Sequence, residues 1–565
     1  MPNSLTKSRA LLLGLLLAPV FVLPFNAQQA GTSAPSATIT TAGVFNGSTV
    51  AIPMRDGRSL AADVFVPKSG GKRPVVLIQT PYNKDLVRPW FAGEGRWGPD
   101  SLFTDPNYAF VITDWRGKFA SSGALTPGTQ ANLSQDGYDT CAWIAKQDWC
   151  NGKIATWGPS ALGRVQYETA RSNPPNLVCA VPMVMPLNLD HEIYFPGGAL
   201  WEEFLSMLGR LGFGTQLYDQ VTARAIKDDA WKVVERNFVK PGEFPVPMLF
   251  IGGWYDIYTD GVLNAFAAVR AGGGSKARAH SKLVMGPWLH NTDQLTNGSL
   301  DFPKARLIGM SKARGFLDYW VRGAANAFDS KEPSISYYQM GVDQWRATDV
   351  WPPAGTRDRK YYLQRNNSLS TSFPKSAPAA VSFRYDPAKP VPTVGGHVLD
   401  PALKGGPQDQ RERVEGRDDV LVFTTPVLTS DLPVTGKIKL ELNVSSDRLD
   451  TDFTAIVTDV YPDGRSILVT EGIRRMRFRN TASREEMMNP GQTYAITIDL
   501  TNTAITFLKG HRVRLIISSS NYPKYALNLN DGGPMYRKGN ALVAINTVYA
   551  DARHPSALIL PVSAR

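Results

Sequence analysis

A serine lies between two glycines in the run Trp157, Gly158, Pro159, Ser160, Ala161, Leu162, Gly163. An apolar stretch precedes the run and a segment of helical spacing follows it. This is the pattern of a nucleophile elbow: a sharp strand-to-helix turn exposes the hydroxyl, and the next backbone N–H faces a developing oxyanion. A plain turn explains glycine and serine equally well, so the reading stands or falls on partners elsewhere in the chain.

A serine hydroxyl is a weak nucleophile at neutral pH. A histidine must take its proton, and a carboxylate must orient that histidine. All six histidines follow Ser160, so chain order excludes none. Context selects His290, which follows the apolar run 283–289 through Gly286 and Pro287. His280 precedes that strand, and His397, His511 and His554 lie in a later β-rich region. His191 comes before every strand that could supply the acid. Asp256 follows the run 248–251 and a glycine pair, and is the expected acid. Asp260, just before a helix expected from Gly261, suits an N-cap instead. Oxyanion stabilisation needs two preorganised donors. One is the Ala161 N–H, and the Tyr82 hydroxyl in the loop Thr80, Pro81, Tyr82, Asn83, Lys84 could be the second, with a buried packing tyrosine as the alternative.

To hold these groups together, the chain needs strands ending side by side. Short apolar strands are expected at 74–79, 109–113, 153–157, 177–183 and 247–251, alternating with helices at 137–146 after Asp136, 162–171 and 261–270. That alternation predicts an α/β sheet. Helical spacing without strands at 201–211 and 219–238 predicts a helical cap inserted into it, and 304–321 predicts a further helix. From about Ser334 the texture changes to short alternating runs at 438–442, 453–460, 495–500 and 513–518, bounded by Pro, Gly, Asn or Asp. This predicts an all-β sandwich, with 391–410 as a long loop.

Taken in order, these pieces resemble the CocE/NonD hydrolases, a group of cocaine esterases, X-prolyl dipeptidyl-peptidases, α-amino acid ester hydrolases and glutaryl-cephalosporin acylases. The likeness runs through Ile52 to Gly57, Leu60 to Val64, Thr80 to Tyr82, Asp114 to Gly117 with Ser121 and Gly123, and Asp136 to Asp139. It continues through the elbow, Gly253 to Asp256, Gly286 to His290 and Gly406 to Arg411. The resemblance implies Ser160 as nucleophile, His290 as general base and acid, Asp256 as its orienting carboxylate, and Tyr82 with the Ala161 N–H as oxyanion hole. It also implies an α/β-hydrolase domain with a helical cap and a carboxy-terminal jelly roll closing one wall. Two positions depart from the family: Ala161 stands where a tyrosine is common, and Pro159 precedes the serine. Amino-ester hydrolases of the group hold a substrate ammonium with acids two and three residues after the triad aspartate, where this chain has Tyr258 and Thr259. Asp190, Glu192, Glu202 and Glu203 of the cap are the other acids within range. An apolar acyl pocket walled by Trp201, Phe204 and Tyr258 is therefore expected, with core packing as the alternative for each.

Lys7 and Arg9 precede an apolar run to Phe25 interrupted by Gly14, Pro19 and Pro24, and polar Asn26 ends it. This is the pattern of a secretory signal, with cleavage after Ala27 or Ala30, and an uncleaved anchor is the alternative. The expected layout is a leader at 1–27, an α/β-hydrolase domain at 38–330 with its cap at about 187–245, and a jelly-roll domain at 333–565. The expected address is secreted or periplasmic, without stable membrane insertion. The net charge of +11 is dispersed and forms no nucleic-acid arm. Cys141, Cys150 and Cys179 are too few for a disulfide framework. Export permits one bridge, with Cys141 and Cys150 nearest in sequence, which spacing does not decide. No cofactor and no metal are expected, since neither H-E-x-x-H nor paired Cys and His spacings occur. The expected function is a serine hydrolase cleaving a small-molecule ester or acyl-amide through an acyl-enzyme. X-Pro dipeptidyl-peptidase or β-lactam acylase activity is the alternative, and a catalytically inactive carbohydrate-binding protein the reading from another class.

Overall fold

The computed structural model describes residues 37–39, 43–94, 101–214, 216–293, 296–326, 328, 332–536 and 539–563 of the 565-residue chain. The leader read at 1–27 lies outside the described residues. Eleven strands form one mixed sheet. In chain order its first nine are β1 (Ala37–Ile39), β2 (Phe45–Pro53), β3 (Ser59–Pro67), β4 (Arg73–Thr80), β5 (Ala109–Asp114), β6 (Cys150–Pro159), β7 (Leu177–Met183), β8 (Leu249–Gly253) and β9 (Lys282–Gly286). Across the sheet they run β1-β2-β3-β5-β4-β6-β7-β8-β9, followed by Ile335–Gln339 and Gln344–Thr348. From β5 through β9 to Ile335–Gln339 every neighbouring pair is parallel. All the loops that leave the carboxyl ends of these strands therefore gather at one edge, where open α/β sheets bind ligands.

The parallel strands read as near-continuous apolar runs because both faces are covered. Alternate side chains serve the two faces. Val75 and Leu77 of β4 join Ala109 and Val111 of β5 and Cys141 and Ile144 of the helix Leu133–Ala145 in one cluster. Val76 and Ile78, with Phe110 and Ile112, enter the larger cluster on the other face. Cys141, Cys150 and Cys179 are buried free thiols.

Between β7 and β8 the chain forms the cap, with helices His191–Tyr194, Glu202–Leu208, Gln216–Thr222 and Asp229–Arg236. Beyond the large sheet come two antiparallel sheets. The strand Leu432–Ser446 is the hub of the larger one, pairing with Tyr494–Phe507, Ala544–Tyr549 and Ala557–Val562. The smaller runs Leu421–Thr424, Arg512–Ser518, Asp452–Val460, Ser466–Arg475.

Several element limits differ from the sequence reading for local reasons. The helix expected from Gly137 begins at Leu133, because the Asn132 side chain caps it by accepting from Gln135 N–H. Asp136 is instead buried under a forked ion pair with Arg116. The single helix expected at 219–238 is two, the second restarted by Asp228, which accepts from Ala230 N–H. The helix expected at 201–211 ends at Leu208 and widens into a π turn, Gly209–Phe213. The helix expected at 304–321 starts at Ile308 and closes in another π turn, Asp318–Arg322. Among the described residues no helix is long and apolar enough to cross a membrane.

Candidate active site

Ser160 ends the central strand β6 and begins the helix Ala161–Arg171, with φ +57° and ψ −125°. A non-glycine residue in such a conformation costs about 1–3 kcal/mol, and persists only where the surroundings hold it. Three hydrogen bonds do so: Ser160 N–H donates to the Met183 carbonyl of β7 (2.9 Å), and the Ser160 carbonyl accepts from Gly163 and Arg164 (2.7 and 2.9 Å). Gly158 has φ +150°, and a Cβ there would stand 2.5 Å from Leu162 Cβ. A side chain at 158 would block the turn.

Asp256 lies in the loop after β8 and His290 in the loop after β9. His290 Nδ1 is 2.7 Å from Asp256 Oδ1, and the carboxylate is fully buried while the imidazole keeps 17% of its side chain exposed. The ring nitrogen facing a carboxylate is the one that carries the proton, which leaves Nε2 free to accept one. Asp256 Oδ2 accepts from Tyr258 N–H (3.2 Å). The two loops are stitched together, Trp254 N–H donating to the Gly286 carbonyl (2.8 Å) and Tyr255 N–H to the Trp288 carbonyl (3.0 Å). Asp260 is not the N-cap expected of it: Tyr258 occupies that position without a side-chain bond, and Asp260 accepts from Asn502 and pairs with Lys437 at 2.8 Å.

Tyr82 follows β4. Burial pushes its phenol up, and the neighbouring Ser160 and Ala161 oppose that shift. Tyr82 and Ala161 therefore converge beside the serine. Two residues that the sequence reading did not single out fix this loop. Asp114, at the end of β5, accepts from Lys84 N–H (2.7 Å) and Ala120 N–H (3.2 Å), and the buried Lys84 ammonium reaches Asp63 (3.1 Å) and Asp85 (2.7 Å). The only signal in the chain was Asp114 opening one of the family-like motifs.

Ser160, His290 and Tyr82 line one open cleft of about 1250 Å³. Phe204 and Tyr258 line it too. Trp201 does not: its ring packs on Phe204 (5.6 Å) and under the Lys524 ammonium (5.1 Å), and it lines a second cavity of about 610 Å³ on the far side. The cap acids are used locally. Asp190 caps a helix, Glu192 accepts from Gly197, Glu202 from Tyr218, and Glu203 from Leu399 and Asp400 N–H. Asp400 is the one Asp or Glu lining the cleft among the described residues, and Arg210 pairs with it. Most of the remaining wall is apolar, with Thr80, Asn83, Asn291, Lys404 and Gln408 as its polar members, and Leu86, Phe119 and Leu211 at the cleft are 66%, 50% and 41% exposed. The other histidines stand apart: His191 at the Ala225 carbonyl, His397 at Glu471, His511 at Asp459. Among the described residues no three His, Cys, Asp or Glu side chains converge to hold a metal ion.

Comparison with known proteins follows the same outline. Residues 56–227 and 206–292 match the X-Pro dipeptidyl-peptidase (S15) family, and residues 326–559 match the X-Pro dipeptidyl-peptidase C-terminal non-catalytic domain. The cocaine esterase of Rhodococcus sp. (strain MB1 Bresler) is 34% identical over 92% of this chain and 98% of its own. An α-amino acid ester hydrolase structure superposes with a TM-score of 0.80 at 26% identity, covering 95% of this chain and all of that one. An aminopeptidase from a marine-sediment Thaumarchaeota archaeon shares the fold, with a TM-score of 0.81 at 24% identity over 95% of this chain and all of that one.

Proposed function

The chain belongs to the cocaine-esterase (CocE/NonD) family of serine hydrolases, and we propose that it hydrolyses uncharged esters of apolar acids through a Ser160–His290–Asp256 triad. The observation that carries this is the meeting of two independently positioned sets in one cleft: the His290–Asp256 pair at 2.7 Å from the β8–β9 side, and Tyr82 from the β4 side, lining the same cleft as Ser160.

In the reaction, Ser160 Oγ attacks the ester carbonyl carbon while its proton passes to His290 Nε2. Asp256 stabilises the imidazolium that forms. The carbonyl oxygen becomes an oxyanion and accepts from the Tyr82 hydroxyl and the Ala161 N–H. Collapse breaks the bond to the alcohol, which leaves with the proton from His290, and the acyl group stays on Ser160. Water then attacks the acyl-enzyme, giving its proton to His290, and the acid is released as Ser160 regains its hydrogen.

The substrate reading rests on the lining. A substrate ammonium, whether of an α-amino ester or a peptide amine, needs an available carboxylate, and Asp400 is committed to Arg210. Largely apolar walls and three exposed apolar side chains at the cleft suit a bulky apolar acyl or alcohol group instead.

A fluorophosphonate should label the peptide containing Ser160, and Ser160→Ala should abolish both labelling and ester turnover; turnover persisting in that variant would sink the mechanism. Tyr82→Phe should lower kcat by about 100- to 1000-fold if its hydroxyl binds the oxyanion. A panel of aryl esters, amino-acid esters, X-Pro amides and β-lactam side-chain amides tests the substrate class, and faster turnover of either amide would reverse the preference. We also read the chain as exported, on the strength of Lys7, Arg9 and the apolar run before Asn26. A reporter fused after residue 36 that stayed in the cytoplasm would contradict it.

A further inference from the structure

Three ionisable side chains lie buried behind the acid loop, outside the reaction just described: His397, Glu471 and Lys524, each no more than 3% exposed. All three come from beyond the large sheet. His397 sits in the long loop at 391–410, Glu471 on the strand Ser466–Arg475, and Lys524 in the loop after Arg512–Ser518. Glu471 Oε1 gathers three donors: His397 N–H (2.9 Å), His397 Nδ1 (3.2 Å) and the Lys524 ammonium. The other ring nitrogen of His397, Nε2, is 2.9 Å from the backbone carbonyl of Trp254.

Both acceptors lack a proton to give. A carboxylate faces one ring nitrogen and a carbonyl the other, so the ring bridges two acceptors. Burying polar groups costs free energy unless they are paired, and the Glu471 carboxylate accepts from both His397 and Lys524. Burial also opposes the charge on Glu471, yet the Lys524 ammonium and His397 hold its carboxyl well below the usual range. Burial works against the Lys524 ammonium too, and Glu471 outweighs it. The cluster meets the hydrolase domain at two points: His397 at the Trp254 carbonyl, and the Lys524 ammonium at the Trp201 ring.

That carbonyl lies two residues before Asp256, where β8 has ended and the chain turns. On the same residue, the N–H is tied to the His290 loop through Gly286, and the indole N–H donates to the Tyr338 carbonyl at 2.8 Å. Without His397 the Trp254 carbonyl would lose its side-chain partner in a buried site, a loss that a shift of the loop would relieve. Such a shift moves Asp256 relative to His290.

We propose that His397 is a positioning residue: it clamps the Trp254 carbonyl to the Glu471–Lys524 ion pair, and so fixes the acid loop that presents Asp256 to His290. The β domain thereby supports the acid loop from behind, in addition to the residues of its 391–410 loop that line the cleft. The proposal rests on Asp256 being the orienting acid, and the test separates the two.

The measurements are kcat, KM and the rate at which a fluorophosphonate labels Ser160, on full-length His397→Leu, His397→Gln, Asp256→Asn and the double variant Asp256→Asn with His397→Leu. Loss of a group that orients a catalytic residue lowers activity by about 10- to 100-fold in comparable outer positions. His397→Leu should show a fall of that order in kcat and labelling rate, with KM within about twofold. His397→Gln, whose amide N–H reaches toward the same carbonyl, should recover most of it. In the Asp256→Asn background His397→Leu should cost nothing more, because residues acting as one unit are not additive. An unchanged kcat in folded His397→Leu overturns the proposal, as does a full multiplicative loss in the double variant. His397→Asn, too short to reach the carbonyl, replaces the leucine variant if that one fails to fold. Full activity in Asp256→Asn alone would instead strike the acid assignment.

Discussion

Asp114 shows how a residue with no part in the chemistry can decide whether the chemistry is possible. It is fully buried, and its two oxygens join the Tyr82 loop, through Lys84 N–H, to the turn after β5, through Ala120 N–H. Burial pushes its carboxyl up to about 6, against the opposing Lys84 contacts. An unfolded aspartate titrates near 3.9. Between about pH 4 and 6 the folded state therefore keeps a proton that the unfolded chain has released, so stability through this group falls as pH rises and is level above about 6. Asp114→Asn cannot titrate. The stability difference between variant and wild type should move in the variant's favour by up to about 3 kcal/mol across that window, read as urea unfolding free energies at pH 4, 5, 6 and 7. A difference independent of pH would refute the assignment. Sequence could point to Ser160, Asp256 and His290 because each ends an apolar run, a local pattern. It could not point to Asp114, Lys84 or His397, whose partners lie 30, 21 and 74 residues away across strand pairs, nor show that Trp201 turns its back on the cleft.

Among the elements, the cap is held by the β domain at a point where no side chain fits. The turn Pro196–Gly198 lies against the strand Ser466–Arg475, and at Gly197 (φ +59°) a Cβ would stand 1.9 Å from the Ile473 carbonyl oxygen. The Glu192 side chain accepts from Gly197 N–H on the other side (2.9 Å), so the turn has no room to retreat. Gly197→Ala combines an unfavourable backbone conformation with overpacking, and should cost about 2 kcal/mol or more. Because Phe204 and Leu208, a few residues on, line the cleft, KM should rise as well. An unchanged urea midpoint would show that the cap is not fastened there. The parallel strands β4 to β9 were legible in sequence to within a few residues, since burial on both faces makes each a continuous apolar run, whereas β1, β2, β3, Ile335–Gln339 and Gln344–Thr348 were not read as strands. Helix limits were less so. The start at Leu133 depended on which of Asn132 and Asp136 caps, and Asp136 was claimed by Arg116 from another loop. The motifs Asp56, Arg116, Asp136 and Asp139, which carried much of the family likeness, are ion pairs of the scaffold: Arg116 bridges Asp56 and Asp136, and Arg55 forks onto Asp139.

At the scale of the molecule, the two halves share backbone as well as side chains. Just beyond the strand Ile335–Gln339 of the large sheet, Met340 N–H donates to the Ala504 carbonyl, and Thr506 N–H donates to the Met340 carbonyl, each at 2.9 Å. Tyr255, in the acid loop, donates its hydroxyl to the Leu468 carbonyl (3.1 Å), and Asp260 pairs with Lys437. Unfolding either half alone would leave these groups without partners, and would strip the His397, Glu471 and Lys524 cluster of its contacts with Trp254 and Trp201. That penalty exceeds what a marginally stable domain can absorb, so the halves should unfold together. Loss of ester turnover, which reports the cleft, and loss of far-UV ellipticity, which reports both halves, should fall on one urea curve. A core truncation far from the cleft sharpens the test. Leu440→Ala, on a fully buried position of the hub strand Leu432–Ser446, should lower stability by about 2–5 kcal/mol and shift both curves by the same amount, with kcat unchanged in the absence of urea. Two separated steps, with turnover surviving the ellipticity loss of the β domain, would show that the hydrolase half stands alone and would remove the physical basis for its dependence on His397.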